Sequence, residues 1–261
     1  MPIPDRLNPT FVAERPAAPL GFDSFEEARK RLIVALDVPD AVSAAALVER
    51  LDGTCQWFKV GMELFTAAGP AVLEPLLKRG HSVFLDLKFH DIPNTVAGAV
   101  RSAARLGVRM VNVHAVGGPV MLAAAREALE GCSDPPELLA VTMLTSMDQT
   151  QTYAIGYERS PAEQVELLAR MTLDVGIHGF VCSAEEVATL RALTGPEGVL
   201  VTPGIRPLGA AKGDQSRIAA PAEALRKGAS YLVVGRPITQ AQDPAEAAEA
   251  VVREMAEAVK G

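Results

Sequence analysis

The chain alternates between two kinds of segment, and that alternation limits what it can fold into. From Arg31 onward, apolar runs of β-forming residues are separated by Ala/Leu/Glu/Arg-rich stretches of helical pattern. The runs are LIVALD (32–37), WFKVG (57–61), SVFLD (82–86), RMVNVHA (109–115), LLAVTML (138–144), GFVCS (179–183), VLVTP (199–203) and YLVVG (231–235). Several of the intervening stretches end in Gly, as helix C-termini prefer. Strands alternating with helices form βαβ units and a parallel sheet. The runs are continuously apolar, as expected when both faces of a sheet are covered. Eight such units in 261 residues predict an α/β fold, a closed (β/α)8 TIM barrel. A doubly wound open sheet is the alternative, weakened by the absence of G-x-G-x-x-G after the first run. At 49% hydrophobic, one domain of this length buries a full core, and it is placed at residues 23–261. Residues 1–22 carry five prolines and no apolar h-region, which predicts an irregular arm and not a signal peptide.

In such a barrel the chemistry belongs at the C-terminal ends of the strands. Those ends carry Asp37, Lys59, Asp86 with Lys88 and Asp91, His114, Thr145 with Ser146, Cys182, Gly204 with Arg206, and Gly235 with Arg236. A lysine inside the apolar run WFKVG is costly unless paired. Asp86, on the neighbouring strand, is its expected partner. Asp86 and Lys88 sit two apart on a strand and so point to one side. Asp91 follows, before Pro93 ends the extended segment. Lys59, Asp86, Lys88 and Asp91 are thus expected to form an alternating row of charges. A lysine between carboxylates suits a group that must hold its proton until it delivers it. A structural ion-pair network is the competing reading of those residues alone.

The last two strands end in TPGIRP (202–207) and VGRPIT (234–239). Phosphate commonly binds at these two loops in barrels of this kind. Gly235 admits close approach of backbone N–H groups to an anion, and Arg236 supplies a bidentate partner. The long polar stretch LGAAKGDQSRIAAP (208–221) has the length of a lid, from which Gln215 would reach a bound phosphate.

Charge and cysteine content narrow the partners. A net charge of -7 argues against a nucleic-acid surface, so an anionic ligand needs a local basic site. Cys55, Cys132 and Cys182 are too few and too scattered for a disulfide framework or a metal pair and are expected to be buried, reduced thiols of a cytoplasmic protein. No apolar run is long enough to span a membrane. His114 is expected to pack and not to react, and His81 and His178 are expected in surface or loop positions.

The motifs ALDV, KVG, DLKFHDIPNT, VTMLTSM, TPGIRP, GDQSR and VGRPIT occur in an order and spacing that resemble the orotidine 5'-phosphate decarboxylases, in their bacterial form, over about residues 31–255. The resemblance implies decarboxylation of orotidine 5'-monophosphate to uridine 5'-monophosphate, with neither metal nor organic cofactor. It implies Lys88 as proton donor to C6 and Asp86 as the carboxylate beside the departing one. Lys59 would lie between ribose and Asp86, Asp37 at a ribose hydroxyl, and Thr145 at the pyrimidine. Arg206, Gln215, Gly235 and Arg236 would surround the phosphate. Asp91 and Thr95 would reach into the neighbouring subunit's site, which implies a homodimer. The nearest rival is a magnesium-dependent sugar-phosphate decarboxylase with the same D-x-K-x-x-D block. By resemblance, that rival has an acidic metal ligand where this chain has Lys59. A catalytically silent nucleotide-binding barrel is the rival from another class, and it would be expected to lose part of the charged row.

Overall fold

The structure is a computed structural model, and it describes residues 25–207 and 219–257. The arm at 1–22 and Gln215 lie outside the described residues. Eight parallel strands close on themselves in chain order, β1 (Leu32–Ala35), β2 (Trp57–Gly61), β3 (Ser82–Phe89), β4 (Met110–His114), β5 (Glu137–Val141), β6 (Gly179–Val181), β7 (Val199–Thr202) and β8 (Tyr231–Val234). The barrel predicted from the alternating pattern is the fold observed. Closure comes from β1 against β8, with Leu32 opposite Leu232 and Val34 opposite Val234.

Two apolar layers hold it together. Ile33, Phe84, Met110, Leu139, Val181, Val201 and Val233 fill the barrel interior. Their strand neighbours, among them Leu32, Val34, Phe58, Val83 and Val111, face the surrounding helices. Both faces of each strand are therefore apolar, which is why the runs do not alternate in sequence. The helices begin where side chains can satisfy free N–H groups. Asp40 accepts from the Ser43 N–H at 2.8 Å to open Ala41–Arg50. Ser160 and Glu163 form a capping box at Pro161–Asp174. On the opposite rim from the strand C-termini, the Arg191 guanidinium donates to the carbonyls of Gly195, Gly198 and Gly228 and to Ser230 Oγ. It ties the entry to β7 to the entry to β8.

Some details differ from the sequence reading. Helices at Phe25–Arg29, Met62–Ala68 and Gln149–Ala154 were not expected. β3 runs three residues past Asp86, to Phe89. His178 is exposed as expected, but His81, although in a connection, is buried with its ring edge-on to Phe58 at 4.9 Å. Cys55 and Cys182 are buried, Cys132 only partly so, and all three are free thiols. Burial pushes the Cys55 thiol up to about 12. Among the described residues, no helix is long and apolar enough to cross a membrane.

Candidate active site

The C-terminal rim gathers charge on its first three strands. Lys59 projects from β2 and donates to Asp37 Oδ1, just beyond β1, at 2.9 Å. On its other side it meets Asp86 Oδ2, from β3, at 3.3 Å. Asp86 Oδ1 accepts from Lys88 Nζ at 2.6 Å. The row within one chain is thus Asp37, Lys59, Asp86, Lys88. Lys59 and Asp86 are nearly enclosed, with side chains 12% and 11% exposed, so their attraction acts at reduced dielectric. Burial pulls the Lys59 ammonium down, and the charges of Asp86 and Asp37 outweigh it and raise its pKa above the ordinary lysine value. Burial pushes the Asp86 carboxyl up. The charges of Lys59 and Lys88, with hydrogen bonds from Lys88 and Asn112, outweigh that and hold it below the ordinary carboxylate range.

The backbone that presents Lys88 is irregular. Leu85 pairs with Val111 and Phe89 with Val113, so Asp86, Leu87 and Lys88 lie opposite Asn112 alone. Such a bulge re-aims side chains at a strand end. Lys88 has φ 51, and no other non-glycine among the described residues has a positive φ. A left-handed residue with a Cβ costs about 1–2 kcal/mol. At the end of β2, Gly61 leaves room for the lysine: a Cβ there would lie 3.0 Å from Lys59 Nζ.

The expected partner Asp91 is not in the row within one chain. It is exposed beyond β3, and its carboxylate accepts from the Ile92 N–H at 2.7 Å. Thr95 is exposed in the first turn of helix Pro93–Arg105. Ile92, between them, is 68% exposed. His114, at the end of β4, has its ring 5.6 Å from that of His90. Burial first, then the charges of His90 and Lys88, lower its pKa.

On the far side of the rim are two arginines. Arg206 follows β7 and is buried, with Gly204 before it in the left-handed region at φ 77. Arg236 follows β8, is exposed, and opens the short helix Arg236–Thr239 behind Gly235. Burial first, and the Arg236 charge second, pull the Arg206 guanidinium below its ordinary value. An anion between two guanidiniums relieves that repulsion. Arg206 N donates to Ala219 O at 3.0 Å, which pins together the two ends of segment 207–219. Gly235 is also close to the other side of the site, since a Cβ on it would lie 3.5 Å from Asp37 Oδ2. Thr145 is half-buried in the turn after β5.

Asn112 and Gly61 are site residues that sequence reasoning missed. Asn112 carried a readable signal, being an amide inside the apolar run RMVNVHA. Among the described residues, no group of three His, Cys, Asp or Glu side chains is placed to hold a metal ion.

The family model described as "Orotidine 5'-phosphate decarboxylase / HUMPS family" matches residues 30–251. A protein of Moorella thermoacetica named orotidine 5'-phosphate decarboxylase is 52% identical over 234 residues, covering 87% of this chain and 93% of its own. One of the same name from Nitrosospira multiformis is 54% identical over 218 residues, covering 82% of this chain and 89% of its own. The crystal structure of orotidine 5'-phosphate decarboxylase from Lactobacillus acidophilus superposes with a TM-score of 0.76 at 40% identity, over 87% of this chain and 99% of that one. With an eight-stranded barrel, a charged row on its first three strands and an arginine pair on its last two, the chain belongs to the orotidine 5'-phosphate decarboxylase / HUMPS family.

Proposed function

We propose that this protein decarboxylates orotidine 5'-monophosphate to uridine 5'-monophosphate and CO2 in pyrimidine biosynthesis, using no metal or organic cofactor. The observation that carries the reading is Asp86 held between two ammoniums, Lys59 at 3.3 Å and Lys88 at 2.6 Å, across the barrel mouth from Arg206 and Arg236. The arginines, with Gly235 and Gln215, bind the phosphate. Asp37 and Lys59 hold the ribose, and Thr145 contacts the pyrimidine. Asp86 lies beside the substrate carboxylate. The C6–carboxylate bond breaks, CO2 leaves, and the electron pair stays on C6 in the ring plane. Lys88 Nζ then donates a proton to C6 and regains one from solvent. Positive charge fixed where the carbanion develops lowers the barrier, and the same group is the acid.

One lysine is not enough. A rate acceleration on the order of 10^17 requires up to about 23 kcal/mol. A unit charge pair at 4 Å is worth about 4 kcal/mol at an effective dielectric of 20. Phosphate binding at the distant arginines supplies binding energy that holds the substrate in a water-poor site.

Asp91 and Thr95 serve the site of a second copy in a homodimer. Their exposure supports this, as does the run of exposed apolar residues on successive βα segments, Met62 after β2, Ile92 after β3 and Val120 after β4. A metal-dependent sugar-phosphate decarboxylase is disfavoured because the Lys59 ammonium stands at the end of β2, where it would repel a cation. Residues 23–261 are assigned as one catalytic domain of a cytoplasmic enzyme.

The test is the loss of absorbance when orotidine 5'-monophosphate is added to protein treated with EDTA. Turnover unchanged by EDTA and abolished in folded Lys88→Ala is expected. No turnover by the unaltered protein, or more than a few per cent of its kcat in Lys88→Ala, refutes the reading.

A further inference from the structure

Asn112 is completely buried on β4, directly beside the reacting pair. Its Oδ1 accepts from the Lys88 backbone N–H at 2.8 Å, and its Nδ2 donates to Asp86 Oδ1 at 2.7 Å. The two partners fix which end of the amide is which, because a backbone N–H needs an acceptor and a carboxylate needs a donor. Where three residues of β3 face one of β4, the sheet cannot supply a regular ladder bond to Lys88. The Asn112 side chain takes that place. It does so at the residue whose left-handed φ of 51 requires outside support. Asp86 Oδ1 consequently receives two donors, Lys88 Nζ and Asn112 Nδ2, while Oδ2 faces Lys59. One amide therefore restrains both the backbone of the proton donor and the rotamer of the carboxylate that holds its ammonium.

We infer that Asn112 is a positioning residue for the decarboxylation, holding Lys88 Nζ and the Asp86 carboxylate in register for delivery of the proton to C6. The inference rests on the proposed function. It distinguishes Asn112 from residues that bind substrate, since its two hydrogen bonds go to Lys88 and Asp86 and it lies below the surface of the site.

The experiment compares Asn112→Ala and Asn112→Asp with the unaltered protein in kcat, KM, UMP affinity and thermal midpoint. Asn112→Ala removes both bonds. Misplacement of reacting groups by about 1 Å costs on the order of 10²-fold in rate, so kcat is expected to fall by about that factor with UMP affinity within about threefold. Asn112→Asp keeps an acceptor for Lys88 N–H but can donate to Asp86 only when protonated. Its kcat is therefore expected to fall as pH rises, across a range where the unaltered protein is flat.

Retention of kcat within about threefold in both variants overturns the inference. So does a loss confined to UMP affinity, or an Asn112→Asp profile parallel to that of the unaltered protein. If Asn112→Ala does not fold, the Asn112→Asp profile decides. If neither folds, Asn112 belongs to the fold and the inference fails. Should the unaltered protein not turn over orotidine 5'-monophosphate, the functional reading falls and takes this inference with it. An active unaltered protein with indifferent Asn112 variants overturns the inference alone.

Discussion

Replacing Asp86 by Asn keeps the size of the side chain and removes the negative charge from between two ammoniums. Oδ1 receives Lys88 and Asn112, so the amide oxygen takes that side. The NH2 group is then turned toward Lys59 Nζ, 3.3 Å away, donor against donor. At an effective dielectric of 20, one unit pair near that distance is worth about 5 kcal/mol. Two effects reduce the loss. The desolvation cost of Asp86 itself disappears, and Lys59 keeps Asp37 at 2.9 Å. The expected destabilisation is about 3 kcal/mol, at the low end for breaking a buried pair. For a domain of this size that is a fall in thermal midpoint of about 6–12 °C. The pH dependence follows from the lowered pKa of the folded carboxyl. Stability from such a group is fully present above its unfolded pKa of about 3.9 and is lost as pH falls through the folded value. The gap between Asp86→Asn and the unaltered protein should therefore be level from about pH 8 to pH 5 and begin to close only below about pH 4. Urea denaturation followed by circular dichroism measures it. A gap under about 1 kcal/mol at pH 7, or one that closes between about pH 8 and pH 5, refutes the account of Asp86 as the charge that neutralises both lysines.

Arg236→Ala should weaken UMP strongly while leaving the affinity for the phosphate-free nucleoside nearly unchanged. Equal losses for both ligands in calorimetry contradict a phosphate role. Lys88→Ala and Asp91→Ala proteins, each nearly inactive alone, should regain up to roughly one working site in four after random subunit exchange. No recovery after verified exchange removes the shared site. Gly61→Ala places a Cβ 3.0 Å from Lys59 Nζ and should lower kcat by about tenfold with only a small change in thermal midpoint. Unchanged kcat shows that the ammonium has freedom this packing denies it.

The fold was legible because its signal repeats. Each of the eight apolar runs contains an observed strand or most of one; most runs extend past the C-terminal end of their strand, and β3 alone continues well beyond its run, through Leu87, Lys88 and Phe89. Lys59 was legible because a lone ammonium in WFKVG demands a partner, and the neighbouring strand supplies Asp86. What period-two reasoning could not reach was the bulge. Alternation alone puts Asp86 and Lys88 on one side, but the three-to-one register against Asn112 is a property of two strands together. The same holds for Asp37, whose approach to Lys59 depends on the stagger of β1 against β2. The helix Gln149–Ala154 was missed although Asp148 and Gln151 carry a capping box spaced as the sequence spaces it. The short helix Met62–Ala68 had too few turns for its periodicity to register.

The seam between β1 and β8 has a consequence in time. The charged row is encoded before residue 90, whereas Arg236 and the strand that closes the barrel come near the end of the chain. At a synthesis rate of about 5–20 residues per second, on the order of ten seconds separate the two. During that interval β1 lacks the partner on which Leu32, Ile33 and Val34 pair. Joining segments so distant in sequence is a slow event. On the proposed function, a nascent chain thus carries Lys88 long before Arg236 can join it, and decarboxylation is expected only once the last strand docks. A chain ending before Tyr231 would be inactive, not weakly active, and would present two unpaired strand edges to its neighbours.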